Sequence, residues 1–129
     1  MKKNKKNIMV DMTCSILHHG HIRLLKKASK LGKVIVALTT DKEVLLNKNF
    51  KPPLNFRERR EILLSVKYVS KVIKSKFIIT DKFLKKNKID FIVHGSDNKN
   101  KINKKYLKIF KRTNNISSKS LRSKIKRYM

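Results

Sequence analysis

Short apolar runs separated by amphipathic stretches give this 129-residue chain its pattern. The runs at residues 8–10, 34–38 and 91–93 are rich in β-branched side chains, which is typical of buried parallel strands. Between the first two runs, apolar positions recur at helical spacing from residue 21 to 31, and Gly32 stands where a helix C-cap is expected. Strand, helix and strand in this order predict a right-handed βαβ unit.

The rest of the pattern predicts further alternation of helices and strands. Asp41 and Asp81 are the expected N-caps of two short helices. Ile62, Leu63 and Val66 are expected to face inward from a longer one. Helices are predicted over residues 41–46, 56–66, 81–88 and 117–127, and further β segments at 69–73, 77–79 and 106–110, the last at a sheet edge.

Alternating elements with apolar strands predict an α/β fold of the Rossmann-like type, a three-layer α/β/α arrangement around a mostly parallel sheet. A single domain is expected over residues 8–129, after a basic leader at 1–7. Ligands bind at the carboxyl ends of the strands in such sheets. The segments expected to meet at that edge are 13–21, 39–41, 94–97 and 112–118.

Charge adds a second constraint, because 35 Lys and Arg against 8 Asp and Glu give a formal net charge of +27. Such a field attracts nucleotides, phosphorylated substrates, nucleic acid or an anionic membrane. The lysines recur in every segment, which favours a compositional bias over a dedicated nucleic-acid surface and still predicts some non-specific nucleic-acid affinity. The lone cysteine and the lack of a membrane-length or signal-peptide pattern predict a cytoplasmic protein without membrane insertion.

The motif His18-His19-Gly20-His21 lies where the first strand is predicted to turn into a helix. Gly20 lets a phosphate approach the backbone, and the N–H groups of a helix that begins near His21 attract anions. Imidazoles there donate hydrogen bonds to phosphoryl oxygens as negative charge develops. A zinc site is disfavoured, since the other ligands of that kind are one distant cysteine and His94. Ordinary surface histidines remain the alternative.

A second candidate is the segment that begins with Arg112 and Thr113 and continues to Ser117 and Ser118, at the start of the final predicted helix. Hydroxyl side chains at a helix N-terminus are usually caps, and capping alone explains them. The same geometry also forms a cradle for a triphosphate.

A third candidate is the basic cluster Arg57, Arg59, Arg60 and Lys67. On a helix these side chains spread around the cylinder and do not all point into one site. A solvated charged face is the expected role for most of them.

Together, the histidine and arginine–serine motifs resemble the paired signature of the small cytidylyltransferases, an early His-x-Gly-His and a late Arg-Thr-x-Gly-Ile-Ser-Ser/Thr. The resemblance to glycerol-3-phosphate cytidylyltransferases runs from about residue 8 to 125, and residues 10–13, 32–34 and 93–95 look closer to the cytidylyltransferases that activate phosphonates. It implies transfer of CMP from CTP to a small phosphorylated or phosphonate acceptor, with Mg²⁺ bridging phosphates without direct protein ligands. It also implies a homodimer.

The resemblance implies roles position by position. Residues implied to act in catalysis are His18, His21, Lys51 and Arg112. Residues implied to contact the nucleotide are Thr13, Cys14, Gly20, Arg59, Gly95, Asp97, Thr113, Ile116, Ser117 and Ser118. Ser15 and Lys67 are implied to serve the acceptor.

Several positions depart from the family pattern. The Gly-Thr-Phe-Asp turn of the family reads Met-Thr-Cys-Ser here, so Ser15 lacks the carboxylate. Ser96 replaces the first aspartate of a Gly-Asp-Asp segment, Asn115 replaces a glycine, and the stretch from Asp97 to Arg112 is short. These changes bear on acceptor choice and activity. Two alternatives stay open: adenylyl transfer from ATP on the same fold, and a nucleic-acid-binding protein that has kept the fold.

Overall fold

Helices and strands alternate along the residues that the computed structural model describes, 5–94 and 104–109. The strands are β1 (Asn7–Met12), β2 (Lys33–Thr39), β3 (Lys71–Ser75), β4 (Phe91–His94) and β5 (Leu107–Ile109). The helices are α1 (His19–Ser29), α2 (Asp41–Lys48), α3 (Phe56–Leu64) and α4 (Asp81–Lys86), with a 3₁₀ turn at Lys104–Tyr106. Within these ranges, no helix is long and apolar enough to cross a bilayer.

The strands form one sheet in the order β3-β2-β1-β4-β5, with every described pair parallel. β1 is central: Val10 aligns with Val36 of β2 on one side and with Val93 of β4 on the other. The chain moves outward from β1 to β3 and then crosses back to β4. Ligands of such sheets bind where the strand order reverses, here beyond the carboxyl ends of β1 and β4. The predicted Rossmann-like α/β fold is confirmed.

Apolar side chains cover both faces of the sheet, because consecutive residues of a strand point to opposite sides. On one face, Leu25 and Ala28 of α1 and Leu63 of α3 are fully buried against the alternate strand positions Ile8, Val10, Val34, Val36, Leu38, Val72 and Val93. On the other face, Leu84 of α4 packs with Met9, Ile35, Ala37, Ile79, Ile89, Ile92 and Tyr106. The three-layer arrangement follows from this double burial.

Gly32 is not the C-cap of α1, contrary to the sequence expectation. The helix begins at His19 and ends at Ser29, and the C-cap is Lys30 in a right-handed conformation. A Cβ at Gly32 would lie 2.2 Å from the backbone oxygen of Lys6 and 3.2 Å from Cγ1 of Ile8. The glycine is therefore required by close packing of the α1–β2 connection against the start of β1.

Threonines, not aspartates, are the N-caps of α2 and α4. The hydroxyls of Thr40 and Thr80 accept hydrogen bonds from backbone N–H groups three residues further on. Asp41 and Asp81 are instead the first residues of their helices. A carboxylate there still interacts favourably with the helix dipole.

Other element boundaries also differ from the pattern. Residues 77–79 form no strand: the Phe77 N–H donates to the carboxylate of Glu43, and Ile79 is buried. α3 ends at Leu64, and Ile62, expected to face inward, is 38% exposed, whereas Val66 packs against the core. β5 lies at the sheet edge as expected, and the helix predicted over 117–127 lies outside the described residues.

Candidate active site at the carboxyl edge

The connection between β1 and α1 begins with two inward-facing side chains. Cys14 adopts a left-handed conformation with φ of 51° and is 5% exposed within the core. Burial raises the pKa of its thiol to about 12, against a smaller lowering by Arg59. Ser15 is 2% exposed. At these positions the backbone, rather than the side chain, is what the connection offers to a ligand.

The histidine motif caps α1 reciprocally. His18 is the N-cap, and its Nδ1 accepts a hydrogen bond from the Gly20 N–H at 3.1 Å. The Nδ1 of His21 accepts in turn from the backbone N–H of His18 at 3.2 Å. The two rings lie face to face at a tilt, with centroids 3.9 Å apart and 30° between their planes. This is a capping box built from imidazoles in place of the usual hydroxyl and carboxylate.

The capping bonds determine the tautomer of both rings. A neutral imidazole that accepts at Nδ1 carries its proton on Nε2. Burial, with a further contribution from His18, lowers the pKa of His21 to about 3, and burial together with His19 lowers the pKa of His18. Near neutral pH, both rings are therefore uncharged hydrogen-bond donors through Nε2, located at the helix N-terminus where anions are favoured.

Arg59 lies beneath this edge and is 1% exposed. Its Nε donates to the Leu54 carbonyl at 3.1 Å, and its Nη1 donates to the carbonyls of Thr13 at 2.6 Å and Thr39 at 2.9 Å. Its Nη2 forms an ion pair with Asp41 Oδ1 at 2.6 Å. The guanidinium is thus turned towards protein acceptors. Its contacts support a structural role, joining the ends of β1 and β2 to α3, rather than the implied nucleotide contact.

Asp41 has a larger role than the cap that the sequence pattern predicts. Its Oδ1 pairs with Arg59, while its Oδ2 accepts from the Phe56 N–H at 3.1 Å. One carboxylate therefore links the start of α2 to the start of α3. The signal in the sequence is an aspartate two residues after the end of β2, at the predicted ligand edge, which the pattern alone assigns to capping.

The remaining predicted residues fall into three groups. Gly20 lies in the first turn of α1, and Lys51 is exposed on the connection between α2 and α3. Lys67 lines a cleft with Lys5 and Ser70, which precede β1 and β3, so it lies at the opposite, amino edge of the sheet. The structure does not bring Lys67 together with the histidines. Outside the described residues lie Gly95, Asp97, Arg112, Thr113, Ile116, Ser117 and Ser118.

Comparison with known proteins bears on this arrangement. Residues 13–122 match the model of a family described as Cytidylyltransferase-like. The chain is 33% identical over 103 residues to an ethanolamine-phosphate cytidylyltransferase of Arabidopsis thaliana, covering 74% of this chain and 24% of the relative. It is 36% identical over 93 residues to the glycerol-3-phosphate cytidylyltransferase of Bacillus subtilis, covering 71% and 67%.

Two further likenesses widen the comparison. The chain is 34% identical over 92 residues to an FAD synthase of Pyrococcus abyssi, covering 70% of this chain and 62% of the relative. A crystal structure of the lipopolysaccharide core biosynthesis protein of Thermoplasma volcanium matches with a TM-score of 0.64 and 25% identity, covering 95% of this chain and 88% of that one. The chain spans about a quarter of the length of the ethanolamine-phosphate cytidylyltransferases it matches.

The Arg59 network predicts a large loss of stability when the guanidinium is replaced. Arg59→Lys keeps the charge but lacks the planar fork that reaches four acceptors, so it should lower the free energy of unfolding by about 2–3 kcal/mol. The neighbouring exposed Arg60 is the matched control, and Arg60→Lys should stay within about 0.5 kcal/mol of the parent. Urea denaturation measures both. A loss below about 1 kcal/mol for Arg59→Lys would show that the network is not a principal restraint.

The low pKa of His21 predicts acid sensitivity of the fold. Unfolding returns the ring to its ordinary pKa of 6.5, so the unfolded chain binds an extra proton between pH 6.5 and about 3. The stabilisation from the neutral ring is complete above pH 6.5 and is lost as the pH falls through this window, with a slope of up to about 1.4 kcal/mol per pH unit.

The variant His21→Asn isolates this contribution, because its side-chain oxygen occupies the place of Nδ1 and can keep the capping bond without titrating. Its unfolding free energy, measured by urea denaturation at several pH values, should fall less steeply than that of the parent between pH 6 and 4. Identical slopes in the two proteins would contradict a buried neutral His21.

Proposed function

Because this chain belongs to the cytidylyltransferase-like family, we propose that it transfers CMP from CTP to a small phosphorylated or phosphonate acceptor and releases pyrophosphate. Its similarity to glycerol-3-phosphate and ethanolamine-phosphate cytidylyltransferases, two relatives named for phosphate monoesters, supports this acceptor class. The observation that carries the proposal is the imidazole capping box, which presents two neutral donors at the N-terminus of α1.

The proposed chemistry is a direct in-line displacement. An acceptor oxygen forms a bond to the α-phosphorus of CTP, the bond from that phosphorus to the bridging oxygen breaks, and pyrophosphate leaves with the electron pair. The acceptor oxygen is already anionic, so no general base is required. What the protein must supply is alignment and donors for the charge that accumulates on the phosphoryl oxygens.

His18 and His21 suit that task for a physical reason. A pre-positioned neutral donor stabilises developing negative charge without having to reorganise during the reaction. The caps hold each Nδ1 against the backbone, so each Nε2–H has a set direction. Gly20 places no side chain in the first helical turn, so a phosphate can approach closely there, while its own N–H is bonded to Nδ1 of His18.

Other residues complete the proposed site by resemblance. Lys51, exposed on its connection, is proposed to reach the phosphates. Thr13 and Cys14 are proposed to contact the nucleotide through their backbone. The late motif at residues 112–118 is proposed to hold the β- and γ-phosphates, with Gly95 and Asp97 beside the nucleotide. Lys67 is left out of this site because it lies at the amino edge.

The described residues bear on how Mg²⁺ would be held. Among the described residues, no three His, Cys, Asp or Glu side chains come together to hold a metal ion. The donors at the start of α1 are N–H groups, which bind phosphate oxygens and not a hard cation. We propose that Mg²⁺, when present, is held by phosphate oxygens and neutralises part of their charge.

Adenylyl transfer is the second candidate function. The similarity to FAD synthases favours it, since FAD contains an adenylyl group. The same in-line chemistry applies with ATP in place of CTP. A homodimer, a cytoplasmic location and non-specific affinity for nucleic acid stay predictions.

Nucleotide choice is tested by pyrophosphate release. The protein is incubated with Mg²⁺, either CTP or ATP, and glycerol 3-phosphate, phosphoethanolamine, a 2-aminoethylphosphonate or FMN as acceptor. We expect turnover with CTP and one phosphate or phosphonate acceptor. Turnover with ATP and FMN alone would establish adenylyl transfer instead. No turnover together with no nucleotide-dependent shift in Tm would overturn both candidates.

The role of the histidines is tested with variants that keep the capping bonds. His18→Asn and His21→Asn place an amide oxygen where Nδ1 accepts, but lack the Nε2 donor. Each should lower kcat by about 10²–10³-fold, the usual cost of losing one such donor, while the protein remains folded. His19→Asn is the matched control, because His19 is exposed and takes no part in the cap, and it should retain kcat within about twofold. Full activity in both asparagine variants would refute the proposed role.

A further inference from the structure

A second basic site lies at the amino edge of the sheet, at the far end from the histidines. There, a cleft of about 380 Å³ is lined by lysines from three separate segments: Lys5 before β1, Lys33 at the start of β2, and Lys67 after α3. β1 is six residues long and separates this edge from the start of the α1 connection. At about 3.3 Å per residue, the two places are roughly 20 Å apart. One small ligand cannot contact both.

The cleft combines positive charge with polar groups. Ser29, Tyr68 and Ser70 also line it, and the Ser29 hydroxyl donates to the Lys26 carbonyl at 2.6 Å. The Lys67 ammonium lies 5.2 Å from the centre of the Tyr68 ring, a cation–π contact that restricts the position of its side chain. None of the described residues that line the cleft carries a carboxylate.

The surroundings of the cleft add to its excess of positive charge. Further lysines occur next to the amino ends of the described strands, at positions 6, 30, 71 and 88. The carboxylate of Asp90, which precedes β4, accepts a hydrogen bond at Oδ2 from the Asn7 backbone N–H at 2.8 Å. Ammonium groups that share a cleft repel one another. A bound anion with two negative charges would offset that repulsion through its attraction to each ammonium group.

We propose that this lysine cleft, defined by Lys5, Lys33 and Lys67, is a binding site for a small phosphate-bearing anion, separate from the reaction site at the carboxyl edge. Its volume is large enough for a phosphate monoester, and lysines and hydroxyls are common phosphate ligands. The inference does not depend on the proposed nucleotidyl transfer, because none of its residues belongs to that site.

The test follows backbone amide signals of the ¹⁵N-labelled full chain by NMR during titration with inorganic phosphate. Sodium chloride is adjusted to hold the ionic strength constant, so that general screening does not change. We expect saturable shifts at Gly32, Lys33, Tyr68 and Ser70. The double variant Lys33→Gln/Lys67→Gln should weaken phosphate binding at these amides by about tenfold or more.

The control is Lys82→Gln, which removes an exposed lysine of α4 that does not line the cleft, and its titration should match that of the parent. Equal weakening in the control and the double variant, or shifts that rise without saturation, would overturn the site in favour of diffuse attraction. Saturable shifts confined to Gly20 and His21 would also overturn it. A random oligonucleotide could instead shift the amide signals of all the lysines near the amino ends of the strands, while the shifts caused by phosphate do not saturate. That result would refute a small anion as the ligand.

Discussion

The burial of one guanidinium is the constraint on which the carboxyl edge of this protein depends. Arg59 is charged and almost fully enclosed, and such a group is tolerated only when its donors are satisfied. Its acceptors come from the ends of two strands, the start of a helix and a connection. Satisfying the arginine therefore adds polar contacts between segments that also pack through Cys14 and Phe56.

The carbonyl of Thr13 is one of those acceptors, and it lies five residues before the N-cap of α1. Anchoring the backbone there restricts the route by which the chain can reach His18. The left-handed conformation of Cys14, unfavourable for a side chain with a Cβ, is consistent with a turn held by its neighbours. The histidine cap and the arginine network act in sequence along the same short connection: the network positions the helix entrance and the cap orients the rings at it.

The sequence predicted the architecture well because burial on both faces leaves a direct imprint. The run at 34–38 has the continuous apolar pattern of a strand that is buried on both faces. Leu25, Ala28 and Leu63 fall at helical positions that pack against the sheet. The positions of the histidines at the first strand-to-helix turn followed from the same order. The family was recognisable from two motifs that no single physical property would have joined.

What the sequence could not predict depends on contacts between distant segments. Gly32 resembles a helix stop, and only the approach of Lys6 shows that packing requires it. The sequence does not distinguish the arginines at positions 57, 59 and 60. Arg59 is the buried one, because it lies one helical turn before Leu63, which packs α3 against the sheet. Lys67 was grouped with the site by resemblance, whereas the direction of the chain after α3 carries it to the other edge.

The central place of β1 has a consequence for the chain as it leaves the ribosome. Of the described strands β1 is synthesised first, but its pairing with β4 joins residues that are 83 positions apart, as between Ile8 and Phe91. At about 5–20 residues per second, one edge of β1 stays unpaired for roughly 4–17 s until β4 has been synthesised. During that interval, Lys5 and Lys6, which directly precede β1, place positive charge beside the open edge, and such charge discourages pairing with another nascent chain. Positive charge at the start of β1 therefore bears on the assembly of the sheet as well as on the surface of the finished fold.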